Sequence, residues 1–207
     1  MIISLEGIDG SGKTTQASLL VETLTGLKLN PLLVREPGGT AAGERIRELL
    51  LDKSLTISTD TEILLYTAAR AELLQEVIRP AVKAGRLVIC DRYIDSSLAY
   101  QGYGLGGDLK WIVNLNRQLA GKLWPAVTFL LDIPVEQAGQ RRSELSDRIE
   151  QREISFHKRV RRGYLELASG DRQRFVTLNA LWPVEKLQQV IWDEVQRRFP
   201  AVLGSVD

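Results

Sequence analysis

Short apolar runs alternate along this chain with longer stretches in which apolar residues recur every three or four positions. The runs Ile2-Ile3-Ser4-Leu5-Glu6, Pro31-Leu32-Leu33-Val34, Leu87-Val88-Ile89-Cys90, Val127-Thr128-Phe129-Leu130-Leu131 and Phe175-Val176-Thr177-Leu178 read as strands. Leu87–Cys90 has no polar alternation, the pattern of a strand covered on both faces. Helical periodicity marks Gln16–Leu24 through Leu20, Val21 and Leu24, and Ala41–Leu51 through Ile46, Leu49 and Leu50. It also marks Asp60–Ala84, where Pro80 is expected to introduce a kink, and Leu109–Leu123, with Asp108 as N-cap. A short helix opened by Pro134 and a closing helix over Val184–Arg198 complete the series. Strand and helix alternate throughout, which predicts an α/β fold: a five-stranded parallel sheet, helices on both faces, and a ligand beyond the carboxyl ends of the strands.

The first strand runs into Gly7-Ile8-Asp9-Gly10-Ser11-Gly12-Lys13-Thr14, the G-x-x-x-x-G-K-[ST] spacing of a phosphate-binding loop. Backbone N–H groups of such a loop wrap nucleotide phosphates, Lys13 reaches the β- and γ-phosphates, and the Thr14 hydroxyl is offered to Mg²⁺. A glycine-rich turn could match by accident, but the strand before and the helix after are the context the motif requires. The fold expected is therefore P-loop NTPase-like, handling a nucleoside triphosphate.

Composition narrows the setting. The 207 residues fit one domain, 1–207, with a mobile insert, and 27 Lys+Arg against 26 Asp+Glu recommend neither nucleic acid nor an anionic membrane as partner. A single cysteine, Cys90, forbids an intrachain disulfide, and a single histidine, His157, offers no zinc cluster. No apolar run approaches the roughly 20 residues of a membrane span, and no basic segment precedes the first strand. The expectation is a soluble, unprocessed, cytoplasmic protein in which Cys90 is a buried strand residue and His157 a surface residue beside a lid. That lid is read in the arginine-rich stretch 141–162, centred on about 141–152. Acidic Glu144, Asp147, Glu150 and Glu153 interrupt its arginines and argue against a nucleic-acid footprint.

Asp91-Arg92-Tyr93 follows the third strand, where a carboxylate can hold Mg²⁺ or its water shell; as turn chemistry alone it would merely cap the next segment. Together with Gly7–Thr14 and Arg35-Glu36-Pro37-Gly38-Gly39-Thr40, the block Asp91-Arg92-Tyr93-Ile94-Asp95-Ser96-Ser97-Leu98-Ala99-Tyr100-Gln101-Gly102 resembles the bacterial thymidylate kinases. The resemblance covers nearly the whole chain, with Asp147-Arg148-Ile149-Glu150 and Tyr164-Leu165 in the expected order. It implies transfer of the ATP γ-phosphoryl to the 5′-phosphate of dTMP, with Mg²⁺ as cofactor and a homodimer as assembly. A phosphate monoester with a second pKa near about 6 is already dianionic and nucleophilic at neutral pH, so the protein must supply charge and in-line positioning rather than a Ser-His-Asp or Cys-His set.

Carried over by motif position, the resemblance implies Asp9, Lys13 and Arg92 as catalytic groups, joined by lid arginines Arg142 and Arg148, with Arg141 next. The lid is implicated because the phosphate loop holds Asp9 but no arginine. Arg92 would bind the acceptor phosphate with help from Arg35, and Thr14 and Asp91 would serve the metal. Tyr66 would stack on thymine and Arg70, at i+4, would donate to its O4; periodicity alone reads the same pair as a core aromatic beside a surface arginine. Ser97 falls where relatives bond the base edge, Tyr100 where a ring crowds the ribose 2′-position, and Gln101 belongs to the same pocket. Glu36-Pro37 is a candidate cis peptide. Asn179-Ala180 departs from the Asp-Ala of many relatives, which bears on donor selectivity. Two alternatives stay open: a deoxynucleoside kinase using Glu6 or Glu36 as general base, and a nucleotide-dependent switch, although the guanine-reading Asn-Lys-x-Asp is absent.

Overall fold

The computed structural model describes residues 1–141 and 147–200. Strands β1 (Ile2–Glu6), β2 (Leu32–Arg35), β3 (Val88–Asp91), β4 (Val127–Asp132) and β5 (Phe175–Asn179) form one parallel sheet in the order β2-β3-β1-β4-β5. All five lie where the apolar runs predict, with ends shifted by a residue or two. The inner strands β1 and β3 are buried along their whole length, whereas the edge strands β2 and β5 expose residues on both sides of a buried one. Burial on both faces accounts for the unbroken apolar run Leu87–Cys90, while in β1 the polar Ser4 and Glu6 are buried as well.

Successive side chains of one strand feed opposite layers. Ile3, Leu5 and Ile89 join Leu20, Phe129 and Ile191 in one core, while Ile2, Val88 and Cys90 join Leu73, Leu74 and Ile78 in another. Helices α1 (Lys13–Gly26), α2 (Ala41–Leu51), α3 (Thr59–Leu73), α4 (Arg79–Lys83), α5 (Ile94–Ser97), α6 (Leu109–Ala120), α7 (Val135–Gln140), α8 (Ile154–Gly170) and α9 (Val184–Arg198) complete the described elements. The chain leaves β1, pairs its next two strands on one side and its last two on the other, so β1 stands at the reversal and its carboxyl end faces a crevice.

Three local features depart from the sequence reading. The helix expected over Asp60–Ala84 is divided into α3, a π-helical turn at Leu74–Ile78, and α4. Pro80 lacks an N–H and its ring excludes the carbonyl four residues earlier, Glu76, so the strain is absorbed one turn upstream as a widened turn. A second π-helical segment, Leu98–Gly104, follows α5 inside the Asp91–Gly102 block. Most of the arginine-rich stretch beyond Glu153 is the regular helix α8, which buries Phe156, Val160, Tyr164 and Ala168 on one face. His157 is therefore a correction: it is 2% exposed, edge-on to Phe156, with Nε2 3.3 Å from the Glu150 carbonyl, and not a surface residue. Asp108 does cap α6, accepting from the Lys110 and Trp111 amides at 2.8 and 3.2 Å.

Candidate active site

Between β1 and α1 the chain turns through Gly7, Gly10 and Gly12 at φ 142°, 87° and 93°. A side chain at Gly7 would collide with the Leu131 carbonyl, and one at Gly10 with that of Ala138, so glycine is required by space as well as by backbone conformation. The loop delivers Lys13 to the first turn of α1, where Nζ donates to the Ile8 carbonyl at 2.9 Å and the Ser11 hydroxyl at 3.4 Å. Burial, then the charge of Arg92, pushes the Lys13 ammonium down to about 8. Next to it the Thr14 hydroxyl donates to Asp91 Oδ2 at 2.5 Å, joining the end of the loop to the end of β3.

Arg92 follows β3 with φ 71°, a left-handed conformation rare for a side-chain-bearing residue. Its Nη1 donates to the Gly7 carbonyl at 3.0 Å, and its Nη2 to Asp9 Oδ1 at 2.5 Å and the Tyr100 hydroxyl at 3.0 Å. The guanidinium lies 4.9 Å over the Tyr100 ring, and the Tyr100 hydroxyl donates to Asp9 Oδ2 at 2.9 Å. Burial alone would raise the Asp9 carboxyl, but Arg92 and Lys13, with the Tyr100 and Arg92 hydrogen bonds, hold it well below the usual carboxylate range.

Two cavities meet here. A cleft of ≈ 600 Å³ runs along the phosphate loop past Asp91 to Arg141, Ala180 and Trp182. A narrower cavity of ≈ 80 Å³ is lined by Tyr66, Arg70, Tyr100 and Gln101. Asp9, Glu36, Arg47 and Arg92 line both. At the floor of the smaller one Arg70 is fully enclosed. Nε and Nη2 donate to Glu36 Oε2 at 2.8 and 2.5 Å, Nη1 to Ser97 Oγ at 2.9 Å and Asn116 Oδ1 at 2.6 Å, and Nη2 also to the Tyr93 carbonyl at 3.1 Å. A guanidinium has five N–H groups, and all five are spent.

A family sequence model described as thymidylate kinase matches residues 5–191. The thymidylate kinase of Kosmotoga olearia is 45% identical over 196 residues, 94% of each chain. That of Deinococcus radiodurans is 44% identical over 200 residues, 96% of this chain and 97% of its own. The chain belongs to the thymidylate kinase family. Among solved structures, the thymidylate kinase of Ehrlichia chaffeensis superposes with a TM-score of 0.79 at 34% identity, covering 95% of this chain and 98% of that one.

Against that family background the structure sorts the expected site residues. It brings Asp9, Lys13, Thr14, Asp91, Arg92 and Arg35 to the larger cleft, and Tyr66, Arg70, Tyr100 and Gln101 to the smaller one. Ser97 lines neither; its hydroxyl accepts from Arg70, so it braces the arginine instead of presenting itself to a base. Arg70 is likewise not a surface arginine but an enclosed one whose donors all have acceptors in the protein. Arg35 is half exposed and pairs loosely with Glu44 at 3.5 Å.

Of the lid residues, Asp147, Ile149 and Glu150 line the cavities, and the correction is Arg148. Arg148 lines neither cavity. It donates to Glu62 Oε2 at 2.7 Å and to the Leu50 carbonyl at 2.8 Å, beside Arg152, which meets the same Glu62 oxygen at 2.7 Å. Glu62 is fully buried and takes both cations through charge-assisted hydrogen bonds. Arg141 does face the larger cleft and donates to the Ala180 carbonyl at 3.0 Å. Arg142 lies outside the described residues.

Three groups escaped the sequence reading. Arg47 of α2 lines both cavities and donates to the Pro37 carbonyl at 3.0 Å. Glu62 holds Arg148, Arg152 and, through Oε1 at 3.0 Å, the Gln101 amide. Glu6, weighed only as a general base, is sealed under the loop, where burial and then Asp95 push its carboxyl up to about 7. The Glu36-Pro37 bond is cis. Asn179 closes its turn by accepting the Leu181 amide at 3.0 Å, and Lys186 covers the Trp182 ring at 4.2 Å.

Proposed function

We propose that this protein transfers the γ-phosphoryl group of ATP to the 5′-phosphate of dTMP, giving dTDP and ADP. The observation that carries the reading is the shared wall: a phosphate-loop cleft and a smaller aromatic-lined cavity have Asp9, Glu36, Arg47 and Arg92 in common. A donor phosphate in one and an acceptor phosphate in the other would meet at Arg92. Lys13 and the loop amides hold the donor, Arg92 with Arg35 and Arg47 holds the acceptor, and Asp9 fixes the direction of Arg92. Tyr66 offers its ring to the base, while Tyr100 and Gln101 bound the sugar and base. From the lid, Arg141 lines the phosphate-loop cleft and donates to the Ala180 carbonyl, and Arg142, next in sequence, is the candidate for the transferred group. Adenine lies along Ala180 and Trp182.

The metal reading is Mg²⁺. Thr14 and Asp91 present a hydroxyl and a carboxylate oxygen in contact at the head of α1, a hard-oxygen pair of the kind Mg²⁺ takes when phosphates and water supply its other ligands. When bound, the ion would neutralise charge that develops on the donor's phosphate groups. The deoxynucleoside-kinase alternative needs an accessible general base, and neither candidate fits: Glu6 lines neither cavity and Glu36 is tied to Arg70.

One domain over 1–207 with a lid at about 141–152, a homodimer, a cytoplasmic setting and no nucleic-acid partner complete the reading. The single sheet, exposed apolar residues such as Leu49 and Leu64, and the near-neutral charge support it, and no described helix is long and apolar enough to cross a membrane. The test is coupled ADP release across a panel of nucleoside monophosphates, with Mg²⁺ present and withheld. dTMP should be preferred, with dUMP weaker by the about 1–3 kcal/mol that one methyl group is worth. Preference for a purine monophosphate, or for thymidine over dTMP, overturns the assignment.

A further inference from the structure

Glu6 is the last residue of β1 and is 0% exposed, yet it lines neither cavity. Its partners all belong to the wall that carries Arg92. Oε1 accepts the Tyr93 amide at 2.8 Å, immediately after Arg92 in the chain. Oε2 accepts the Ser96 hydroxyl at 2.6 Å and the Tyr164 hydroxyl at 2.8 Å. Those two hydroxyl oxygens are 2.8 Å apart, and Arg92 Nη1 lies 3.2 and 3.3 Å from them.

A hydroxyl has one proton and two lone pairs. With both protons given to Glu6, the Ser96 and Tyr164 oxygens turn only lone pairs toward Arg92, whose second Nη1 hydrogen they share while the first goes to the Gly7 carbonyl. A proton on Oε2 would complete the three-oxygen ring and still leave each hydroxyl a lone pair. We infer that Glu6 is a positioning residue for the phosphoryl acceptor: by taking the Tyr93 amide and the two hydroxyl protons, it fixes Arg92 in its left-handed conformation and aims the guanidinium at the shared wall. The inference rests on the reading of Arg92 as the acceptor-phosphate group. The chain of contacts runs from β1 through α5 and α8 to a single guanidinium, and none of its hydrogen bonds goes to Lys13 or to a loop amide.

Glu6→Gln keeps the shape and breaks the pattern in either orientation of the amide. Its NH₂ faces the Tyr93 N–H, or it faces the two hydroxyls, one of which can donate to the other while the second must turn its proton toward Arg92. The expected result is a rise in the KM for dTMP of at least about tenfold with the KM for ATP within about twofold, one lost charged hydrogen bond being worth that much. Tyr164→Phe, which removes one hydroxyl and no charge, should raise the KM for dTMP about threefold in the same selective way, and it decides the matter if Glu6→Gln does not fold. An unchanged KM for dTMP in folded variants, or equal rises for both substrates, overturns the inference. Wild-type protein that releases no ADP with dTMP would instead overturn the proposed function, so the two failures are told apart.

Discussion

Replacing Arg70 by methionine asks whether the residue expected to read the base also holds the pocket together. Methionine keeps an unbranched stem and loses all five N–H donors. Arg70 is 1% exposed and Glu36 is 4% exposed, so the substitution leaves a carboxylate sealed without its cation, and it takes a donor from Ser97 and Asn116. Breaking one partner of a buried pair costs about 3–5 kcal/mol. The lower end applies here, because burial already raises the Glu36 carboxyl against the pull of Arg70 and, with Arg70 gone, protonation limits the penalty. A loss of about 3 kcal/mol is expected near pH 7.5. It should shrink as pH falls: the variant's folded state binds a proton on Glu36 that its unfolded state, near the ordinary carboxylate value, does not. Adding Glu36→Gln should restore about 1 kcal/mol or more. Urea unfolding followed by the fluorescence of the four tryptophans measures each value. A loss below about 1 kcal/mol, or a double variant no more stable than the single one, refutes the reasoning.

Three further outcomes are expected. Arg142→Ala should lower kcat about a hundredfold or more, while Arg148→Ala, which removes a partner of Glu62, should cost about 1–3 kcal/mol of stability and lower kcat less than about tenfold; equal kcat losses would contradict that division. The Arg197 hydrogen bond, outweighing burial and joined by Arg198, holds the Glu194 carboxyl at about 2, so its contribution is present above the ordinary carboxylate value and lost as pH falls toward 2. Solvent screening limits it to about 1 kcal/mol. The gap in Tm between wild type and Glu194→Gln should therefore narrow from pH 7 to pH 3, and a constant gap would refute the assignment. Thr14→Ala should raise the Mg²⁺ concentration needed for half-maximal ADP release about tenfold, which a metal titration at saturating ATP reads directly; an unchanged requirement would remove Thr14 from the metal site.

Legibility followed the range over which each feature is decided. The five strands and the phosphate loop depend on local pattern and on glycine conformations, and both are written in consecutive residues. Helix α8 carried a readable stripe at Phe156, Val160, Tyr164 and Ala168, four residues apart, but the arginines between them drew the reading toward a lid. The buried carboxylates were out of reach. Glu62 looks like any acid in the first turn of a helix, and the arginine it holds at Arg148 is 86 positions away. Arg70 reads as a pocket residue only through the family resemblance, since periodicity alone makes it a surface arginine; that its donors are all taken depends on Glu36, Ser97 and Asn116, which no local pattern connects to it.

Those carboxylates explain how the fold gathers cations around two adjoining cavities. Unpaired, the guanidinium groups would repel one another and be poorly solvated. Instead Asp9 holds Arg92, Glu36 holds Arg70, and Glu62 holds Arg148 and Arg152. The pairs differ in access to water: the carboxylate side chains of Glu36 and Glu62 are 4% and 1% exposed, and that of Asp9 is 25% exposed. An incoming phosphate dianion competes most easily where the counter-ion is open to water, and Asp9–Arg92 is the pair with both partners on the shared wall. On the proposed reading Arg92 would meet the acceptor phosphate beside Asp9, while Arg70 keeps its partner Glu36. Positive charge for phosphoryl transfer is thus held on the shared wall by a carboxylate that water also reaches, whereas Glu36 and Glu62 hold theirs in the interior.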